Sequence, residues 1–169
     1  MAKPAITDYP EHYRGYVGLV PEGDIIEIIS SQLDETFAYV KANEERRDFC
    51  YAEGKWSLIE VIGHLIDTER IQAYRLLRIA RGDKTPLAGY DDESYVENAN
   101  FSSRTIDDLL QEFKAVRSST VALIKGISED AWEKRGFANK GEFTVNALAY
   151  IIAGHERHHL KLIKERYTL

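Results

Sequence analysis

The segment GHERHH, residues 154–159, sets His155 and His159 four positions apart. On a helix the two rings lie about 40° apart around the axis and one turn apart along it, so both can reach one cation. With His155 as the origin of the helical wheel, Leu148, Ile151, Ile152 and Leu162 fall within about 60° of it, which places the pair inside an apolar stripe. Burying two polar rings there costs roughly 1–3 kcal/mol each unless they find partners, and a shared metal ion supplies one to both. His158 falls at the edge of the stripe and is the weaker ligand. A third ligand is available in His64, inside a second helical pattern and flanked by Glu60 and Asp67. Core histidines hydrogen-bonded to their neighbours would satisfy the same pattern.

Residues 155–159 also spell HExxH, in which two histidines bind metal and the glutamate activates water. Only ten residues follow His159, and none supplies the further histidine of the extended form of that motif. A protease is therefore disfavoured. Glu156 stays a candidate catalytic base, as do Glu60 and Asp67 on the face of His64.

These residues need helices to hold them. Asp24 is a plausible N-cap for an amphipathic helix to about residue 44; Ser57 with Glu60 has capping-box spacing and opens a second, running to Gly82. Thr105 with Asp108 opens a third, ending at Gly126, and a fourth runs from Thr144 to about Arg166. Residues 1–21 read as an irregular aromatic leader packed on the rest, within a single domain spanning 1–169. No stretch alternates as strands do, so an all-α four-helix bundle without a sheet is expected. The connection between the second and third helices, about twenty residues, exceeds an ordinary helix-hairpin loop. It predicts a lid or a crossover along the bundle rather than a simple up-down-up-down order. Ser128 can cap one short turn near Trp132.

Lys and Arg number 22 against 28 Asp and Glu, a net charge of −6, which argues against a nucleic-acid or anionic-membrane surface. One cysteine, Cys50, excludes an internal disulfide framework and a multi-cysteine zinc site. No leader peptide or bilayer-length apolar run is evident, so a soluble, cytoplasmic protein is expected.

The blocks LVPEGD, WSLIEVIGHLIDTER, YRLLRIARGD and YIIAGHERHHLKLIKERY resemble the DinB-like family of small bacterial metal-binding four-helix bundles over nearly the whole chain. The resemblance implies that His64, His155 and His159 hold a divalent metal, zinc or nickel, with one position left for water or substrate. It also implies a small-molecule substrate, and a homodimer is common in the family. It leaves the reaction open between a hydrolase and an S-transferase using a low-molecular-weight thiol, and a non-catalytic metal- or ligand-binding bundle is the rival from another class.

Arg70, Arg75, Arg78 and Arg81 crowd the second helix and could receive a substrate anion, although pairing with neighbouring acids is the ordinary role of such residues. Trp56, Tyr13 and Tyr16 could wall a pocket. Cys50 has no surroundings suited to a nucleophile, and Asp91, Asp92 and Glu93 read as a solvated acidic turn rather than a calcium loop.

Overall fold

Asp24, Ser57, Thr105 and Thr144 each stand immediately before a long helix in the computed structural model, which describes residues 2–167. The Asp24 carboxylate accepts from the Ile26 N–H at 2.7 Å, Thr105 Oγ1 from Asp108 N–H at 3.1 Å, and Thr144 Oγ1 from Ala147 N–H at 3.0 Å. At Ser57 the reciprocal partner dominates: the Glu60 carboxylate accepts from both the backbone N–H and the hydroxyl at 2.7 Å. These bonds satisfy donors that a helix start leaves open. The helices so begun are α2 (Ile25–Ala42), α3 (Leu58–Ala80), α5 (Ile106–Lys125) and α6 (Val145–Arg166), with the short helices α1 (Arg14–Leu19) and α4 (Asp92–Ala99) between and before them.

Cross-helix partners fix the directions. Lys41 at the end of α2 meets Asp107 at the start of α5, while the Ile29 carbonyl near the start of α2 accepts from Arg117 late in α5, so these two run antiparallel. Gln32 bonds the Ala153 carbonyl and Glu35 pairs with Lys164, so α2 and α6 run parallel. Tyr167 just after α6 donates to the Trp56 carbonyl just before α3, and His64 meets His155 between them, so α3 and α6 are antiparallel. The order of directions is up, down, down, up. The segment between α3 and α5 is accordingly the long crossover the sequence implies, and it carries α4 and a 3-10 turn, Phe101–Ser103, against α3. Phe101 fills the space where a side chain at Gly63 would stand.

Two details depart from the sequence reading. The chain is not free of sheet: β1 (Arg135–Ala138) pairs antiparallel with β2 (Gly141–Thr144) through a turn at Asn139 and Lys140, whose φ angles are 46° and 66°. Two successive left-handed residues make the tight turn that matches strand twist. The leader, expected to be irregular, forms 3-10 turns and α1. Its Tyr9 and Tyr13 are buried as expected, and α1 lies so close to α6 that a Cβ at Gly154 would run into the Tyr16 backbone. The expected short turn near Trp132 is present at Glu129–Ala131, but Ser128 stands before it without a side-chain capping hydrogen bond. Among the described residues no helix is long and apolar enough to cross a membrane.

The apolar core falls into two clusters, one around Ile25, Leu76, Ile124 and Leu148, the other around Leu58, Ile62, Phe113 and Ile163. Buried polar side chains from all four long helices form a belt between them. Gln32 and Thr36 come from α2, Glu69 and Gln72 from α3, Arg117 from α5, and Glu156 from α6.

Candidate metal centre

His64 on α3 and His155 and His159 on α6 converge at one edge of this belt. Ligand atoms from the three lie within 4.8 Å of one another, and the Nε2 atoms of His64 and His155 are 3.1 Å apart. Two imidazole nitrogens on a tetrahedral zinc with bonds of ~2.05 Å stand about 3.3 Å apart, so the spacing suits one small ion. All three rings are buried, with exposures of 5%, 8% and 8%. Burial lowers the pKa of His64 to about 4 and pushes His155 and His159 well below the ordinary histidine range, the neighbouring imidazoles adding to the effect on the latter two. The rings therefore stay neutral near pH 7, the form in which imidazole binds metal. His159 Nδ1 is buried without a hydrogen-bond partner, and such an atom is costly unless something occupies its lone pair or takes its proton. Three neutral imidazoles, one with an unmet nitrogen, are a donor set that fits a divalent transition metal. Among the described residues no fourth His, Cys, Asp or Glu joins the group.

The surroundings orient these rings. Thr68, one turn after His64, places its hydroxyl 3.5 Å from His64 Nδ1 and 2.7 Å from the Tyr90 hydroxyl. Trp56 stacks obliquely on His64 with ring centres 4.6 Å apart, and Tyr16 of α1 meets His155 edge-on at 5.4 Å. Above the histidines opens a cavity of about 330 Å³, walled by Tyr13, Tyr16, Trp56, Tyr90, Arg75 and Asp92 among others. Trp56, Tyr13 and Tyr16 thus take the wall positions envisaged for them.

The three carboxylates singled out as bases are engaged elsewhere. Glu60 closes the α3 cap. Asp67 pairs with Arg70 at 3.3 Å, and burial raises its pKa against that pull. Glu156 points its carboxylate into the belt, where it accepts from Gln32, from Thr36 at 2.6 Å and from Arg117 at 2.7 Å. Arg117 in turn is forked onto Glu69 at 2.7 and 2.9 Å. None of the three lines the cavity; the carboxylate that does is Asp92, in the acidic turn. His158 is exposed and meets Tyr16 edge-on, with ring centres 5.1 Å apart. Cys50 is exposed.

Thr68 could have been found from its i+4 spacing to His64. Asp92 and Tyr90 could not, because only the crossover's path brings them over the rings.

Residues 29–163 match the model of the DinB superfamily. The chain belongs to the DinB superfamily. Two proteins of Oceanobacillus iheyensis, each named "Putative metal-dependent hydrolase", are 25% identical over 142 residues (82% of this chain, 79% of that protein) and 26% identical over 123 residues (72% and 70%). Among solved structures, YfiT from Bacillus subtilis, described as "a probable metal-dependent hydrolase with an unusual four-helix bundle topology", superposes with a TM-score of 0.71 at 19% identity, covering 86% of this chain and 90% of that one. A mycothiol-dependent maleylpyruvate isomerase superposes with a TM-score of 0.66 at 17% identity, covering 84% of this chain and 60% of that one. Both likenesses place this DinB-superfamily chain in the four-helix-bundle fold.

Proposed function

We propose that this chain is a metal-dependent enzyme acting on a small molecule, with His64, His155 and His159 as ligands of a zinc or nickel ion at the floor of the cavity. The observation that carries this reading is the convergence of three buried, neutral imidazoles from two helices beneath an accessible cavity, with no fourth protein ligand among the described residues. A catalytic site keeps such a position for water or substrate, whereas a structural site closes it. The names of the Oceanobacillus relatives support a hydrolase; the mycothiol dependence named for one structural neighbour, an isomerase, supports use of a low-molecular-weight thiol, with S-transfer as the second reading. When bound, the ion would supply Lewis acidity that lowers the pKa of a water or thiol towards neutrality.

The chain's own residues have separable tasks in either reaction. Thr68, bridging Tyr90 and His64, holds the His64 ring in its plane of approach. Asp92, a carboxylate on the wall of the same cavity, would accept the nucleophile's proton. Tyr16 and Trp56 exclude bulk water from the floor of the cavity. Glu156 serves as a positioning residue, tying α6 to α2 and α5 one residue from His155.

The test is metal analysis of protein purified without an affinity tag, beside His64→Ala and His159→Ala. One equivalent of zinc or nickel in the wild type, lost in both variants, is expected; absence of stoichiometric metal in the wild type overturns the reading. Metal-loaded and chelated samples are then compared for ester hydrolysis and for conjugation of a simple thiol to an electrophile. Turnover in the loaded sample alone assigns the reaction, and equal background in both favours a non-catalytic bundle. Light scattering on the same material reads the expected homodimer.

A further inference from the structure

We propose that the cavity recognises a carboxylate on its ligand through Arg75, so that the enzyme's substrate is an organic acid held at one end by this guanidinium and presented at the other to the histidines. The assignment of that ligand as a substrate rests on the enzyme reading above; the anion site itself does not.

Of the three arginines on α3 and Arg81 at its C-terminal cap, Arg70 is paired with Asp67 and Glu112, and Arg78 with Asp83. Arg81 is exposed. Arg75 differs from all of them. It is 2% exposed and lines the cavity, and among the described residues no carboxylate lies within ion-pair distance of it. Its partners are neutral. Nη2 donates to the Ala88 carbonyl at 2.9 Å, Nη1 reaches Gln72 Oε1 at 3.5 Å, and the Tyr90 ring centre lies 5.8 Å from Cζ. A guanidinium has five N–H donors, so these contacts leave most of its hydrogen-bonding capacity and all of its charge without a counterpart. Burying an arginine this way is expensive unless an anion arrives. Arg117, equally buried in the same bundle, shows the structural alternative, since two carboxylates neutralise it.

The position suits a ligand that spans two sites. Arg75 lies eleven residues after His64, about 20° from it around the axis and roughly 16 Å along it between Cα atoms. Helical side chains lean towards the helix start, which carries the guanidinium back towards the histidines. Aromatic rings of Tyr13, Tyr16, Trp56 and Tyr90 wall the space between. A guanidinium fork fits carboxylate and phosphate alike. Asp92 on the same cavity wall disfavours the second charge of a phosphate monoester and favours the singly charged carboxylate.

The test uses the full chain freed of metal by chelation, which removes any direct attraction between ion and anion. Intrinsic tryptophan fluorescence, to which the cavity-lining Trp56 and the buried Trp132 both contribute, is titrated with benzoate, with uncharged benzamide and with phenyl phosphate. Saturable quenching by benzoate, at least tenfold tighter than by benzamide and tighter than by phenyl phosphate, is expected. Arg75→Gln should abolish the preference for benzoate over benzamide; Arg75→Lys should weaken it while keeping the charge, and carries the test if the glutamine variant melts early by circular dichroism. His155→Ala should retain the preference. No saturable benzoate binding, an equal response to benzamide, or an undiminished preference in the Arg75 variants overturns the proposal and leaves Arg75 as a tether for the Ala88 loop. Tighter phenyl phosphate binding overturns the choice of carboxylate. Metal content of Arg75→Lys, expected unchanged, keeps failure here distinct from failure of the three-histidine site.

Discussion

Two buried polar clusters share the middle of this bundle, and adjacent residues of α6 belong to opposite ones: His155 to the histidine group, Glu156 to the ion cluster. In the ion cluster every charged group has a hydrogen-bonded partner, two carboxylates sharing one guanidinium. Arg117 faces Glu69 and Glu156, and Glu156 takes further donors from Gln32 and Thr36. In the histidine group three rings face one another, each kept neutral by burial, and His159 Nδ1 has no partner. Equal burial thus has two meanings. Complete internal pairing marks a cluster that stiffens the fold, and incomplete pairing beside a cavity marks one that receives something from outside.

The largest effect should come from breaking the paired side. Arg117→Ala leaves two carboxylates buried without their cation, and a loss of about 3–5 kcal/mol is expected, read as a fall in the urea midpoint. On the other side the sign is reversed, because there stability is gained by addition. Zinc at a hundredfold excess over its Kd should stabilise the wild type by about 2.7 kcal/mol, while His155→Ala should show no rise in melting temperature with zinc. A zinc response that persists in the variant would erase the contrast between the clusters.

Acidity separates them next. In the metal-free protein the three histidines have folded-state pKa values below the unfolded value of about 6.5. The unfolded chain therefore binds more protons below that pH. Stability is fully present above about pH 6.5 and is lost as pH falls from there towards about 4, the value for His64. Between pH 7 and pH 6 the expected fall is roughly 2 kcal/mol for three such groups, measured by urea unfolding at each pH. His64→Gln should flatten the slope. The smallest effect is that of Thr68→Val, which removes the hydroxyl between Tyr90 and His64. Zinc affinity should weaken about tenfold, measured by competition with a chromogenic chelator, and an unchanged affinity would show that the His64 ring is held by packing alone.

The readable and unreadable parts of the molecule divide along the same line. The four long helices and their caps follow from spacings of three and four residues, as does the meeting of His155 with His159, because a helix converts local spacing into a shared face. The crossover was legible from its length. Arg117 with Glu69, 48 residues apart, carries no local signal, since which faces of α3 and α5 meet is decided by packing. The hairpin escaped because strands of four residues show too little alternation to read. Its turn residues, Asn139 and Lys140, lack the Asn-Gly pairing that usually announces such a turn. Asp92 read as a solvated residue, which by exposure it is; that it also borders the cavity depends on where the crossover is laid down.

The cavity draws its floor and its walls from different kinds of chain. The histidines stand on the two longest helices, but Tyr16 comes from the leader, and Tyr90 and Asp92 from the crossover. Parts that join helices tolerate replacement far better than the helices themselves. A descendant of this sequence could therefore be retuned to a different ligand by rewriting those borders, the three histidines passing through the change intact.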